Sequence, residues 1–210
     1  MLKAVIFDMD GTIFDTERVY HDAWTAVGVP EELYWQMIGR GHAEIKKMFR
    51  QQLKVSPDIL YERCAVEIDR RLAAGIPKKL GLDDLLHFLR EHSYKIALAT
   101  SSFTKDAKTK LQRTEVEDFF VAVIGGEQVV HGKPAPDIYQ KAANAVGCTP
   151  EECIVLEDSF NGIRGGHAAG MYTVMIPDLL QPDAEIRTLA DAVLPSLVEV
   201  PPLLLRLADA

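Results

Sequence analysis

Two carboxylates, Asp8 and Asp10, stand two residues apart directly after the apolar run Ala4-Val5-Ile6-Phe7, and Gly11 follows them. Residues i and i+2 of an extended chain project to one side, so both carboxylates enter one space beyond the end of a strand. Such neighbours repel unless a cation or a shared proton offsets their charge. Three further polar clusters recur: Thr100-Ser101-Ser102 after Ile96-Ala97-Leu98-Ala99, Lys133 in Gly132-Lys133-Pro134, and Glu157-Asp158 after Cys153-Ile154-Val155-Leu156. Taken singly, these are an acidic turn, a helix cap and a solvated lysine. Taken together they make one site, because strand ends of a parallel sheet share an edge, and that edge is where open α/β sheets bind ligands.

The chemistry suggested is phosphoryl transfer. Oxygen donors without His or Cys favour Mg²⁺, whose near-octahedral shell is commonly shared with phosphate oxygens. A carboxylate held beside such an ion can attack phosphorus and become an aspartyl-phosphate. A second carboxyl can protonate the leaving oxygen and then deprotonate water. A hydroxyl and a lysine would steady the non-bridging oxygens as charge redistributes.

These residues need a scaffold, and apolar periodicity supplies its outline. After the first strand, residues 16–79 read as wholly helical. Tyr20, Trp24 and Val27 mark one helix ended by Gly28 and Pro30. Residues 33–38 form a second, closed by Gly39-Arg40-Gly41. Ile45, Met48, Phe49 and Leu53 line a third, and Leu60, Cys64, Ile68 and Leu72 a fourth opened by Ser56-Pro57-Asp58. From Gly81 onward helices alternate with short apolar runs, the pattern of a parallel α/β sheet. The expected architecture is a doubly wound, Rossmann-like parallel sheet, residues 1–15 and 80–210, interrupted after its first strand by an all-helical cap, residues 16–79.

Composition bounds the rest. The 210 residues are 48% hydrophobic and 26% charged, with net charge −8 and no long basic run, which argues against a nucleic-acid surface. No apolar stretch is long enough to span a membrane, and the chain enters a core strand at once, leaving no room for a signal peptide. Cys64, Cys148 and Cys153 lack metal-type spacing and read as reduced thiols. A cytoplasmic monomer is expected.

Four segments, Phe7-Asp8-Met9-Asp10-Gly11-Thr12, Ala99-Thr100-Ser101-Ser102, Lys133-Pro134-Ala135-Pro136-Asp137 and Leu156-Glu157-Asp158-Ser159, resemble in order the motifs of the haloacid dehalogenase superfamily. The resemblance covers nearly the whole chain. It implies Asp8 as nucleophile, Asp10 as general acid/base, and Thr100 and Lys133 as phosphate- and nucleophile-orienting groups. It also implies Mg²⁺ held by Asp8, the Asp10 carbonyl and Asp158, with Glu157 in or next to the shell. The helical insert resembles the cap of the β-phosphoglucomutase-like branch. Asp10 argues against a dehalogenase, which lacks that second aspartate. Lys46, Lys47 and Lys54 fall on polar helix faces, against a phosphonatase imine.

The expected function is therefore a Mg²⁺-dependent phosphatase acting on a small phosphorylated metabolite, a sugar or polyol phosphate. Ser101 and Ser102 would contact the phosphate, and Glu17, Arg40 and His42 the remainder of the substrate; Tyr20, His21 and Trp24 are further candidates, although Tyr20 and Trp24 read first as cap core. One alternative is a β-phosphoglucomutase-type mutase. Counting from Gly39, His42 occupies the place of the mutase arginine, and Phe103 stands where a lysine would follow the second motif. The other is a non-catalytic binding protein on the same scaffold, which has no physical reason to keep so costly a carboxylate cluster.

Overall fold

The structure, a computed structural model, describes residues 1–38 and 40–209. Gly39, part of the expected turn and the origin of the count to His42, lies outside the described residues. The strands are β1 (Ala4–Phe7), β2 (Lys95–Ala99), β3 (Ala122–Ile124), β4 (Cys153–Glu157), β5 (Tyr172–Met175) and β6 (Ala192–Val193). They form one sheet in the order β3-β2-β1-β4-β5-β6, and every pairing is parallel. The order reverses direction at β1 and β4, so the ends carrying Asp8 and Glu157 lie side by side, Phe7 opposite Leu156.

Alternation along each strand feeds two cores. Val5 and Phe7, Ile96 and Leu98, and Ile154 and Leu156 pack with Leu82, Leu85, Leu86 and Leu89 of α5 (Leu82–Glu91), and with Ala107 and Leu111 of α6 (Thr104–Arg113). Ala4 and Ile6, Ala97 and Ala99, and Cys153 and Val155 face Ile138, Tyr139, Ala142 and Ala143 of α7 (Asp137–Ala145). The sheet is thus covered on both faces, which its unbroken apolar strands require. Helix α8 (Phe160–Ala168) and helix α9 (Ala184–Leu189) pack Ile163 and Ile186 around Met175. Helix α10 (Val200–Ala208) closes the first core. Sequence periodicity does not single out the six-residue α9, whose Asp183 caps it by accepting from the Ile186 N–H.

Four helices leave the sheet after β1: α1 (Glu17–Ala26), α2 (Glu31–Met37), α3 (His42–Gln52) and α4 (Pro57–Leu72). They surround an apolar cluster of their own, centred on Trp24, Leu33, Tyr34, Phe49, Leu60 and Cys64. Trp24 meets the rings of Phe49 and Tyr61 nearly edge-on, at 5.3 and 5.1 Å. The outgoing and returning strands of chain run together, the Asp15 N–H donating to Pro77 O and the Lys79 N–H to Ile13 O, both at 2.9 Å.

Leu86 is wholly buried between sheet and helices. Leu86→Ala should lower unfolding stability by about 2–5 kcal/mol, read from denaturant melts. A change below about 0.5 kcal/mol, the size of surface effects, would contradict this placement.

Candidate active site

At the carboxyl edge of the sheet the Lys133 ammonium is buried and donates to Asp8 Oδ1 at 2.5 Å and to Glu157 Oε1 at 2.6 Å. Glu157 is completely buried; its Oε1 also accepts from the Tyr139 hydroxyl at 3.0 Å, and its Oε2 from the Ser159 N–H at 2.6 Å. Helix α8 passes so close that a Cβ on Gly162 would overlap this carboxylate. Burial lowers the tendency of Lys133 to be charged, but Asp8 and Glu157 outweigh it and hold its pKa well above the ordinary lysine value. Burial raises the Asp8 carboxyl to about 7 despite Lys133, with Glu157 and Asp10 adding to the rise.

Asp158 follows β4 and accepts from the Thr12 hydroxyl at 3.0 Å. Burial, then the charges of Glu157 and Asp8, push its pKa well above the ordinary range. Asp8, Glu157 and Asp158 offer oxygens that lie within 4.8 Å of one another. Lys133 bonds two of these three carboxylates, which leaves negative charge that a hard divalent cation would offset. Gly11 turns with φ +89°, and a Cβ there would fill the space taken by the Asp158 carboxylate. The donor set and its crowding therefore fit Mg²⁺, with Glu157 the most heavily committed to protein donors.

Asp10 is held differently. Its Oδ1 accepts from Thr16 Oγ1 at 2.6 Å, Lys110 Nζ at 2.7 Å and the Tyr20 hydroxyl at 2.9 Å, while Oδ2 accepts from Ser102 Oγ at 3.1 Å. Burial alone would raise its pKa; Lys110, Thr16 and Tyr20 together hold it below the ordinary carboxylate value. Thr100 is buried at the end of β2, where its Oγ1 accepts from the Ser102 N–H at 3.1 Å. Asp8, Asp10, Thr100, Ser101, Ser102, Lys133 and Asp158 all line one cavity of about 730 Å³ between sheet edge and helical insert.

The insert brings Glu17, Arg40 and His42 to the same cavity. Glu17 accepts from the Tyr34 hydroxyl at 2.8 Å. The Arg40 guanidinium is engaged within the insert, donating to Gln36 O at 2.6 Å and to Glu44. The His42 ring lies 4.9 Å from Phe103 of the core and 5.3 Å from Tyr61. Tyr20 reaches Asp10 as well as packing against the insert cluster, and Trp24 is in that cluster. His21 turns away toward Asp22 and Trp35. Lys46 pairs with Asp58 at 2.7 Å.

Sequence reasoning missed Lys110, Arg113 and Tyr34. Lys110 lies on α6, a largely polar helix in sequence that carries no motif, yet its side chain is 11% exposed. The signal was present: Phe103, Asp106, Lys110 and Arg113 recur at helical spacing, alongside the buried Ala107 and Leu111.

Burial raises the Glu17 carboxyl from 4.5 to about 8, and the Asp10 charge adds to it. The folded chain thus retains a proton that the unfolded chain has lost, so native stability from this group falls as pH rises through about 8. Glu17→Gln, which cannot ionise, should gain stability relative to the native chain between about pH 5 and pH 8. Denaturant unfolding at both values checks this; a difference independent of pH would contradict it.

Comparisons with known proteins agree with this geometry. Residues 2–170 match the family model for haloacid dehalogenase-like hydrolases. A phosphorylated carbohydrates phosphatase of Thermotoga maritima is 32% identical over 181 residues, 82% of this chain and 84% of the relative. (DL)-glycerol-3-phosphatase 2 of Arabidopsis thaliana is 30% identical over 213 residues, 94% of this chain and 88% of the relative. CbbY from Rhodobacter sphaeroides, solved in complex with phosphate, superposes with a TM-score of 0.79 at 25% identity, covering 95% of this chain and 96% of that one. With its motifs gathered on one sheet edge, the chain belongs to the haloacid dehalogenase-like hydrolase family and is an enzyme of that kind.

Proposed function

We propose that this hydrolase is a Mg²⁺-dependent phosphatase acting on a small phosphorylated carbohydrate or polyol through an aspartyl-phosphate on Asp8. One observation carries the reading: Asp8 faces the cavity at the end of β1, bonded to the buried Lys133, with the second carboxyl of Asp10 in the same cavity. The relatives named for phosphorylated carbohydrates and glycerol 3-phosphate support the substrate class.

Asp8 attacks phosphorus in line, and the ester P–O bond breaks as the Asp10 carboxyl gives its proton to the departing alcohol oxygen. Asp10 then takes a proton from water, which attacks the same phosphorus, releasing phosphate and restoring the Asp8 carboxylate. Lys133, Thr100, Ser101 and Ser102 steady the non-bridging oxygens. Asp8, the Asp10 carbonyl and Asp158 would hold Mg²⁺, with Glu157 beside them; when bound, the ion offsets carboxylate charge and polarises the phosphoryl group.

Residues 1–15 and 80–210 then act as the core and residues 16–79 as a cap that excludes water on closing. Hydrolysis is favoured over mutase chemistry because a mutase needs a second phosphate grip in the cap. The Arg40 guanidinium is already taken by Gln36 and Glu44, and His42 lies against Phe103.

A panel of sugar and polyol phosphates, assayed for phosphate release with Mg²⁺ and with EDTA, tests the proposal. Release should depend on Mg²⁺, and Asp8→Asn should fall below about a tenth of the native rate. Full activity in EDTA, or an active Asp8→Asn enzyme, would overturn it.

A further inference from the structure

Helix α6 does more than cover the sheet. Its Asp106, Lys110 and Arg113, with Phe103 at its N-cap, form a stripe along the cavity wall. Three of them also meet the insert directly: Phe103 meets the His42 ring, Arg113 donates to Leu72 O at 2.6 Å, and Lys110 donates to the Tyr20 hydroxyl. Lys110, between the other two, also reaches Asp10, its ammonium 4.9 Å from the Tyr20 ring centre.

The distribution of donors on Asp10 is uneven. Oδ1 receives Thr16, Tyr20 and Lys110, whereas Oδ2 receives Ser102. A carboxylate oxygen has two lone pairs, so Oδ1 is saturated and Oδ2 retains capacity to carry a proton. Of the three donors on Oδ1, Lys110 is the charged one, and charge-assisted hydrogen bonds are roughly twice as strong as neutral ones. It also comes from the sheet-bound α6, whereas Tyr20 belongs to the insert and Thr16 to the chain leading into it.

We propose that Lys110 is a positioning residue for Asp10: it pins Oδ1 so that Oδ2, beside Ser102, is presented to the oxygen leaving phosphorus. This rests on the phosphatase reading above and adds a residue to its machinery. Lys110 itself transfers no proton. It sets which oxygen of Asp10 does, and keeps that setting when the insert moves.

The consequence is selective. An alkoxide leaves phosphorus slowly without a proton, whereas p-nitrophenolate leaves readily. Misplacing Asp10 should therefore cost alkyl esters far more than aryl esters. The measure is kcat/KM, which covers the steps through cleavage of the ester bond. Lys110→Met should lower kcat/KM for glucose 6-phosphate by about 10–100-fold and for p-nitrophenyl phosphate by no more than about 3-fold, part of the 10²–10⁴ that general acid help supplies. Lys110→Arg should recover most of the loss. Combining Lys110→Met with Asp10→Asn should cost no more than Asp10→Asn alone, because the two act as a unit.

Equal losses on both esters, or no loss, would overturn the role of Lys110 while leaving the phosphatase standing. A native chain that releases phosphate from no member of the sugar and polyol phosphate panel, nor from p-nitrophenyl phosphate, would instead overturn the phosphatase reading. In that event crystal structures of the native and Lys110→Met chains still decide the positioning. The Asp10 carboxylate should swing away from Thr16 and Tyr20 in the variant, and an unmoved carboxylate would refute the proposal.

Discussion

Four carboxylates, Asp8, Asp10, Glu157 and Asp158, converge on one sheet edge, and the electrostatics of holding them there shape much of what surrounds them. Lys133, its side chain 1% exposed, lies between Asp8 and Glu157. Removing a partner from such a buried pair leaves an uncompensated charge, at a typical cost of about 3–5 kcal/mol. The arrangement exists because parallel pairing sets β1 against β4 in a register that makes their last residues neighbours. It also needs backbone without side chains at Gly11 and Gly162, where a Cβ would displace Asp158 or Glu157.

The two halves of the carboxylate cluster are handled differently. Burial and the charges of neighbouring carboxylates push Asp8 and Asp158 toward the neutral form, a tendency that a bound divalent cation would oppose. Lys110, Thr16 and Tyr20 draw Asp10 the other way, below the ordinary carboxylate value. In the proposed reaction these tendencies reverse: a bound cation would hold Asp8 ionised for attack, and the negative charge of an entering phosphate would favour the protonated Asp10 that serves as acid. The helical insert reaches the cavity through Tyr20, bonded to Asp10, and through His42, packed against Phe103.

Much of this was legible in the sequence because it depends on short-range rules. Unbroken apolar runs ending in Asp8, Thr100 and Glu157 marked buried parallel strands, and the shared edge followed from topology alone. The four helices after β1 were legible from apolar spacing. Lys110 was not, because periodicity shows which face of α6 packs on the sheet but says nothing of what covers the other face. Only the return of the insert over that edge turns a polar stripe into a cavity wall. Glu17 was recognisable as a candidate, but its raised pKa depends on burial and the Asp10 charge, which outweigh the Tyr34 hydrogen bond, a tertiary effect. The short α9 escaped for a simpler reason: six residues give too little periodicity to register.

The central claim is that Asp8 becomes covalently phosphorylated. Acid quenching during steady turnover preserves an acyl phosphate, and borohydride then reduces that residue to homoserine. Peptide mass spectrometry of the quenched chain should find homoserine at position 8. Turnover without homoserine, or with it at another aspartate, would contradict the account.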